Sequence, residues 1–124
     1  MEVKFYICKH CGNIVMKVKD VGVPVMCCGQ RMEEIVPGIT EAAVEKHIPV
    51  LEQKDNLVHV EVGSVAHPMT EPHFIEWIVL KTTHGFQFRQ LAYTDEPKAD
   101  FALAEGEKVE EALAYCNLHS LWKA

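Results

Sequence analysis

Phe74-Ile-Glu-Trp-Ile-Val-Leu-Lys-Thr-Thr83 runs into His84-Gly85 and then into Phe86-Gln-Phe-Arg-Gln-Leu-Ala-Tyr93. Both flanks are rich in β-branched and aromatic residues, and the glycine-bearing pair between them marks a turn, so the stretch predicts a β-hairpin. Upstream, Leu57-Val-His-Val-Glu-Val62 alternates apolar with polar, the period of a half-buried strand. Repeated short strands with turn signals predict an antiparallel sandwich. Val109-Glu-Glu-Ala-Leu-Ala-Tyr115 is ambiguous on its own residues. Its propensities favour a helix, whereas a strand would put Val109, Glu111, Leu113 and Tyr115 on one face.

Towards the N-terminus the pattern changes. Thr40-Glu-Ala-Ala-Val-Glu-Lys46 reads as one or two helical turns with Thr40 as N-cap and Glu41 in the first turn. Pro49 stops it, leaving His47 at its end. Pro37-Gly38 is a plausible junction, and the segment before it holds only short strands: Lys4-Phe-Tyr-Ile7 and Asn13-Ile-Val-Met-Lys-Val-Lys19, with turns at Gly22-Val-Pro24 and Gly29-Gln30. So short a segment buries too little surface to fold alone, which makes a metal part of its core.

All five cysteines of the 124-residue chain stand in metal-ligand patterns. Cys8-x2-Cys11 followed by Cys27-Cys28-Gly29 offers four thiolates. Free backbone N–H groups bond the sulfurs of a Cys-x2-Cys loop, and the vicinal second pair must splay its side chains, distorting a tetrahedron. Four thiolates suit zinc as well as iron. The fifth cysteine lies in Cys116-Asn-Leu-His119, and His47, His67 and His73 stand upstream, the last two on one loop restricted by Pro68 and Pro72. Four imidazoles and one thiolate exceed tetrahedral zinc and fall one short of an octahedron, so iron there keeps an open, reactive position. Histidines are more often surface or core residues than ligands; His10 reads as an exposed loop residue, His59 as part of a strand and His84 as part of a turn.

Composition narrows the partners. Apolar residues make up 48% and charged residues 24%, ordinary for a globular chain, and the net charge of −6 leaves no basic footprint for nucleic acid. No stretch is long and apolar enough for a membrane span, and Met1-Glu-Val-Lys-Phe5 lacks the features of a secretory signal, so a cytoplasmic location is expected. An odd number of cysteines without an export signal favours metal thiolates over disulfides. An acidic chain repels small anions, so an anionic substrate requires local positive charge.

The motifs together resemble the desulfoferrodoxins, the two-iron class of superoxide reductase. The likeness spans nearly the whole chain: the two cysteine pairs, Glu45-Lys46-His47-Ile-Pro-Val50, Val62-Gly-Ser-Val-Ala-His67-Pro-Met-Thr70, His73-Phe-Ile-Glu-Trp77-Ile78 and Cys116-Asn-Leu-His119, in that order. The resemblance implies an all-β chain with two domains. Residues 1–37 would be a desulforedoxin-like domain with iron on Cys8, Cys11, Cys27 and Cys28. Residues 38–124 would be an immunoglobulin-like β-sandwich with a square-pyramidal iron, His47, His67, His73 and His119 equatorial and Cys116 axial. It makes the segment before Cys116 a strand. The implied reaction is one-electron reduction of superoxide to hydrogen peroxide without dioxygen. Lys46 would draw the anion in, and Glu45 matches a glutamate that takes the sixth position after oxidation. A rubredoxin-like donor and a homodimer are further implications. Ala66, Pro72 and Ser120 depart from the pattern; Ser120 replaces a glycine after the last histidine, where backbone freedom is useful. Rival readings are a pure electron carrier, which needs no vacant position, and a structural zinc module with a binding sandwich.

Overall fold

The computed structural model describes residues 4–38 and 42–124. It divides into two compact units, Met1–Val36 and Pro37–Ala124. In the first unit, β1 (Phe5–Ile7) lies between β2 (Ile14–Met16) and β5 (Glu33–Glu34), and β3 (Met26–Cys27) pairs with β4 (Gln30–Arg31). Among its described residues, only Phe5, Met32 and Ile35 join Cys8 in the buried interior. Three apolar side chains make a very small core, and domains of this size usually need a metal or a covalent link to persist.

The second unit begins with α1 (Val44–His47), a single turn. The expected cap Thr40 and first-turn Glu41 lie outside the described residues; among those described, Ala43 precedes the helix without a side-chain cap bond. Pro49 opens β6 (Pro49–Lys54), which pairs with β7 (Leu57–Val62), and β7 with β10 (Lys98–Ala102). The other sheet has the order β12 (Ser120–Lys123), β11 (Val109–Cys116), β8 (Ile75–Thr82), β9 (Gly85–Gln90). Three strands face four, all antiparallel within their sheets, which is the division of a constant-type immunoglobulin sandwich.

Alternation in β7 puts Val58, Val60 and Val62 into the core, where they meet Phe101 of β10 and Ile78, Leu80, Ala112 and Ala114 of the other sheet. The ambiguous segment is strand β11. Hydrogen-bonded between β8 and β12, it gains backbone partners on both edges, and that tertiary pairing overrides a weak helical preference. Leu113 and Tyr115 share a face, but Val109 packs on the core instead, because a register irregularity between Val109 and Glu111 reverses the alternation. A second irregularity falls where Tyr115 pairs with Trp77 but Cys116 pairs with Ile75. Glu76 is the extra residue there, and the bulge lets Ile75 face the core alongside Ile78 and Cys116.

Candidate metal centres

Two hairpin turns build the first centre. Cys8 and Cys11 flank the β1–β2 turn, and Cys27 and Cys28 the β3–β4 turn, where Cys28 and Gly29 both adopt positive φ. That left-handed pair brings both adjacent thiols into one four-cysteine group. Their sulfurs lie 4.0 Å apart, and the Cys11 and Cys27 sulfurs 3.6 Å apart. Thiolates about 2.3 Å from one ion in a tetrahedron stand about 3.8 Å apart, so the two edges straddle that value, with the vicinal edge the wider. The Cys11 N–H points at Cys8 Sγ (3.5 Å) and the Asn13 N–H at Cys11 Sγ (3.4 Å). Cys8 is lowered to about 6, chiefly by the Cys11 N–H, while Cys28 is pushed up to about 12, first by the neighbouring Cys11. Sulfurs this close ionise together only when a cation replaces their protons. The Asn13 side chain also donates to Cys27 Sγ at 3.7 Å, a contact that sequence reading did not anticipate.

The second centre collects residues from three places: His47 from α1, His67 and His73 from the loop between β7 and β8, and Cys116 and His119 from the end of β11 and the turn joining it to β12. His73 is held by Thr70, with paired backbone bonds of 2.9 and 3.0 Å. Asn117 staples two of these loops, accepting from the Phe74 N–H and donating to the Pro72 carbonyl, both at 3.0 Å. Trp122 packs on the His47 ring and donates its indole N–H to the His119 carbonyl at 2.9 Å. Neither Asn117 nor Trp122 was singled out from sequence, although Asn117 lies inside the Cys116–His119 motif.

The four rings form a closed cycle. Neighbours in the order His47, His67, His73, His119 and back to His47 have centroids 4.6, 4.7, 5.1 and 4.9 Å apart and interplanar angles between 79° and 85°. Each ring therefore stands edge-on to the next, like vanes about one axis. His47 Nδ1 lies 2.7 Å from the Ala43 carbonyl and His67 Nδ1 2.7 Å from the Pro68 carbonyl. A carbonyl only accepts, so both protons sit on Nδ1 and both Nε2 atoms are bare lone pairs. Yet those Nε2 atoms are 3.1 Å apart, and His119 Nδ1 is 3.1 Å from His47 Nε2. The buried Nε2 of His73 has no hydrogen-bond partner. Lone pairs converging without a proton between them call for a cation, and nitrogens about 2.1 Å from one ion and at right angles stand about 3.0 Å apart. Donor atoms of His47, His67, His73 and Cys116 all lie within 4.8 Å of one another, and His119 Nδ1 is 3.9 Å from Cys116 Sγ.

Electrostatics keep these donors ready. Burial lowers His67 to about 4 and lowers His47 and His73 as well, which favours the neutral form of these three rings. Burial raises Cys116, which holds its proton until a cation displaces it. The Lys46 charge adds to the lowering of both His47 and His73, which sit opposite each other in the cycle. The Lys46 charge is thus close enough to be felt at two members of the cycle, and the Glu76 carboxylate is felt at Cys116. Glu45 occupies the first turn of α1 beside Lys46. His10 is exposed, His59 bonds Asp100 and Glu61, and His84 lies 4.0 Å from Glu107, so none of the three belongs to a centre.

Comparison with known proteins agrees with this pair of centres. A profile of the desulfoferrodoxin family matches residues 39–124. The chain belongs to the desulfoferrodoxin family. A desulfoferrodoxin homolog of Archaeoglobus fulgidus is 45% identical over 119 residues, 96% of this chain and 94% of that protein. The desulfoferrodoxin of Nitratidesulfovibrio vulgaris is 44% identical over 124 residues, covering 99% and 96%. Among solved structures, the superoxide reductase from Treponema pallidum superposes with a TM-score of 0.85 at 38% identity, covering 100% of this chain and 99% of that one. The four-cysteine group and the histidine–cysteine group match the two iron sites of the family. No helix among the described residues is long and apolar enough to cross a membrane.

Proposed function

We infer that the chain is a superoxide reductase, converting superoxide, one electron and two protons into hydrogen peroxide without releasing dioxygen. The observation that carries this reading is the cycle of four edge-on imidazoles with a buried thiol beside it. Five donors suit an ion that keeps one position open, which a pure electron carrier does not need. We assign His47, His67, His73, His119 and Cys116 as the ligands of that iron, and Cys8, Cys11, Cys27 and Cys28 as those of the other. Iron in the histidine–cysteine centre supplies the electron.

The chain's own residues do the rest. Imidazole donors would leave the charge of a bound ion uncancelled, and the single thiolate would offset only part of it, so an open position there would attract an anion. Lys46 adds a positive charge on the imidazole side and overcomes the repulsion of a chain with a net charge of −6. Glu45 is assigned as the carboxylate that competes with product for the open position. The division proposed is residues 1–37 for the four-thiolate iron domain and 38–124 for the reductase domain. A rubredoxin-like protein returns the electron, the chain works in the cytoplasm, and it pairs as a homodimer; these three assignments follow the family pattern.

Anaerobic optical titration of the reduced, iron-loaded protein with superoxide tests the reading. Stoichiometric oxidation of the histidine–cysteine iron with peroxide and no dioxygen is expected. Dioxygen released alongside peroxide would make the chain a dismutase, and a silent spectrum with iron in both centres would leave an electron carrier.

A further inference from the structure

α1 cannot hold its own shape. One turn of helix supplies the bonds from the Lys46 N–H to the Ala43 carbonyl (3.2 Å) and from the Ile48 N–H to the Val44 carbonyl (3.1 Å), and isolated helices this short do not persist. His47 has further anchors in the Ala43 carbonyl and the Trp122 ring. Lys46 is half-buried and makes no ion pair among the described residues, so no charged partner fixes its direction and the course of its backbone weighs heavily.

That backbone is gripped from behind. After β7 the chain turns across α1, and Gly63 makes the closest approach. A Cβ on Gly63 would stand 2.6 Å from the Glu45 carbonyl oxygen, 3.0 Å from that of Ile48 and 3.0 Å from the Lys46 carbonyl carbon. All three are backbone atoms, which cannot swing aside as a side chain does. The Val65 N–H donates to the Glu45 carbonyl at 2.8 Å, and the Ser64 hydroxyl donates to the same oxygen at 3.2 Å. The turn closes where the His67 N–H donates to the Val62 carbonyl at 2.9 Å. The peptide joining Glu45 to Lys46 is therefore fixed by a turn that begins with a residue lacking a side chain and ends at a member of the imidazole cycle.

We propose that Gly63, Ser64 and Val65 form a clamp on the Glu45–Lys46 peptide that aims the Lys46 ammonium at the imidazole face, making the three of them positioning residues for anion capture. The proposal rests on the reading of Lys46 given above. A side chain at position 63 would push the two backbones apart and swing Lys46 away, whereas His47 would keep its carbonyl and Trp122 anchors. Loss of the Ser64 hydroxyl would loosen the same peptide more gently.

The test combines Gly63→Ala and Ser64→Ala with Lys46→Ala in the iron-loaded protein. Four readouts are taken: the second-order rate with superoxide, its dependence on ionic strength, the visible spectrum, and hydrogen–deuterium exchange of the segment 62–67. Gly63→Ala is expected to slow the reaction about threefold or more at low salt and flatten its salt dependence. Ser64→Ala should do the same by about twofold, since it removes one of two bonds to the carbonyl. Both should speed exchange at Val65, leave the visible spectrum unchanged, and add nothing once Lys46 is alanine. An equal slowing in the Lys46→Ala background would overturn the proposal, because the clamp would then act through the metal ligands. So would an unchanged rate and salt dependence in Ser64→Ala, a variant that keeps the tight backbone approach and so serves if Gly63→Ala does not fold. If Lys46→Ala is itself silent, the capture role of Lys46 falls and the proposal with it. If only the clamp variants are silent, the role of Lys46 stands and the clamp alone is wrong.

Discussion

Ser120→Gly should stabilise the protein, and the size of the effect follows from one dihedral. Ser120 has φ of +67°, in the left-handed region, immediately after His119. An L residue there costs about 1–2 kcal/mol against its preferred conformations, because Cβ crowds the following carbonyl. Glycine escapes that crowding but gains freedom in the unfolded chain, which takes back about 0.4–1 kcal/mol. The Ser120 hydroxyl makes no hydrogen bond among the described residues, so its removal subtracts little. The net expectation is about 0.5–1 kcal/mol of added stability. With a urea slope of about 2 kcal/mol/M, the unfolding midpoint should rise by about 0.25–0.5 M. Metal loading must be equal in the two proteins, because an ion bound only by the folded state raises the apparent stability of whichever holds more. Ser120→Ala is the control: it keeps Cβ and loses the hydroxyl, and its midpoint should match the parent. The visible spectrum should not change, since the His119 carbonyl stays bonded to Trp122. A lower midpoint for both variants would refute the reasoning, showing that the hydroxyl, and not the backbone, decides the position.

Cys116→Ser should abolish the thiolate-to-iron absorption band and most superoxide chemistry; survival of the band would show that Cys116 is no ligand. Lys46→Ala should lower the superoxide rate, most strongly at low ionic strength, with the iron spectrum intact, and stopped-flow rates across a salt series check it. Asn117→Ala leaves the Phe74 N–H and the Pro72 carbonyl without their partner, which should cost about 1–3 kcal/mol and speed metal loss to a chelator from the histidine–cysteine centre only. His59 is raised, first by the Asp100 carboxylate and then by Glu61, with Glu52 as its neighbour on β6. Its contribution to stability is therefore full below the unfolded value near 6.5, while the carboxylates stay ionised, and fades as pH climbs through the raised folded value. Urea midpoints of the parent should fall relative to His59→Gln across that interval, and parallel pH profiles would contradict the pairing.

Much of this was legible because the informative residue types are scarce. With five cysteines and seven histidines, spacing alone sorted the thiolate set from the mixed set, and alternation in Leu57–Val62 was transcribed directly into burial. Segment 109–115 could not be decided locally, since its strand state is conferred by β8 and β12, neighbours in space whose pairing no window of eight residues contains. The bulge at Glu76 was hidden for the same reason: an extra residue is extra only relative to a partner strand. Ring nitrogens were equally invisible. His47 and His67 turn Nε2 inward because nearby carbonyls claim Nδ1, whereas His119 presents Nδ1, and nothing in the identity of a histidine says which. Gly63 stood within a quoted motif, but its reason is a backbone approach from residues 45 to 48, which only the fold supplies.

The spacing of the donors along the chain also gives the two centres different histories. Cys11 and Cys27 are 16 positions apart, so the four thiols can find one another early in synthesis, while little else has folded. His47 and His119 are 72 residues apart and meet only once both sheets have paired, a slow step governed by contacts distant in sequence. The first ion is therefore chosen by a pliant chain, on thiolate affinity and on whatever metal the cell has free. The second is chosen by a finished cage, on fit.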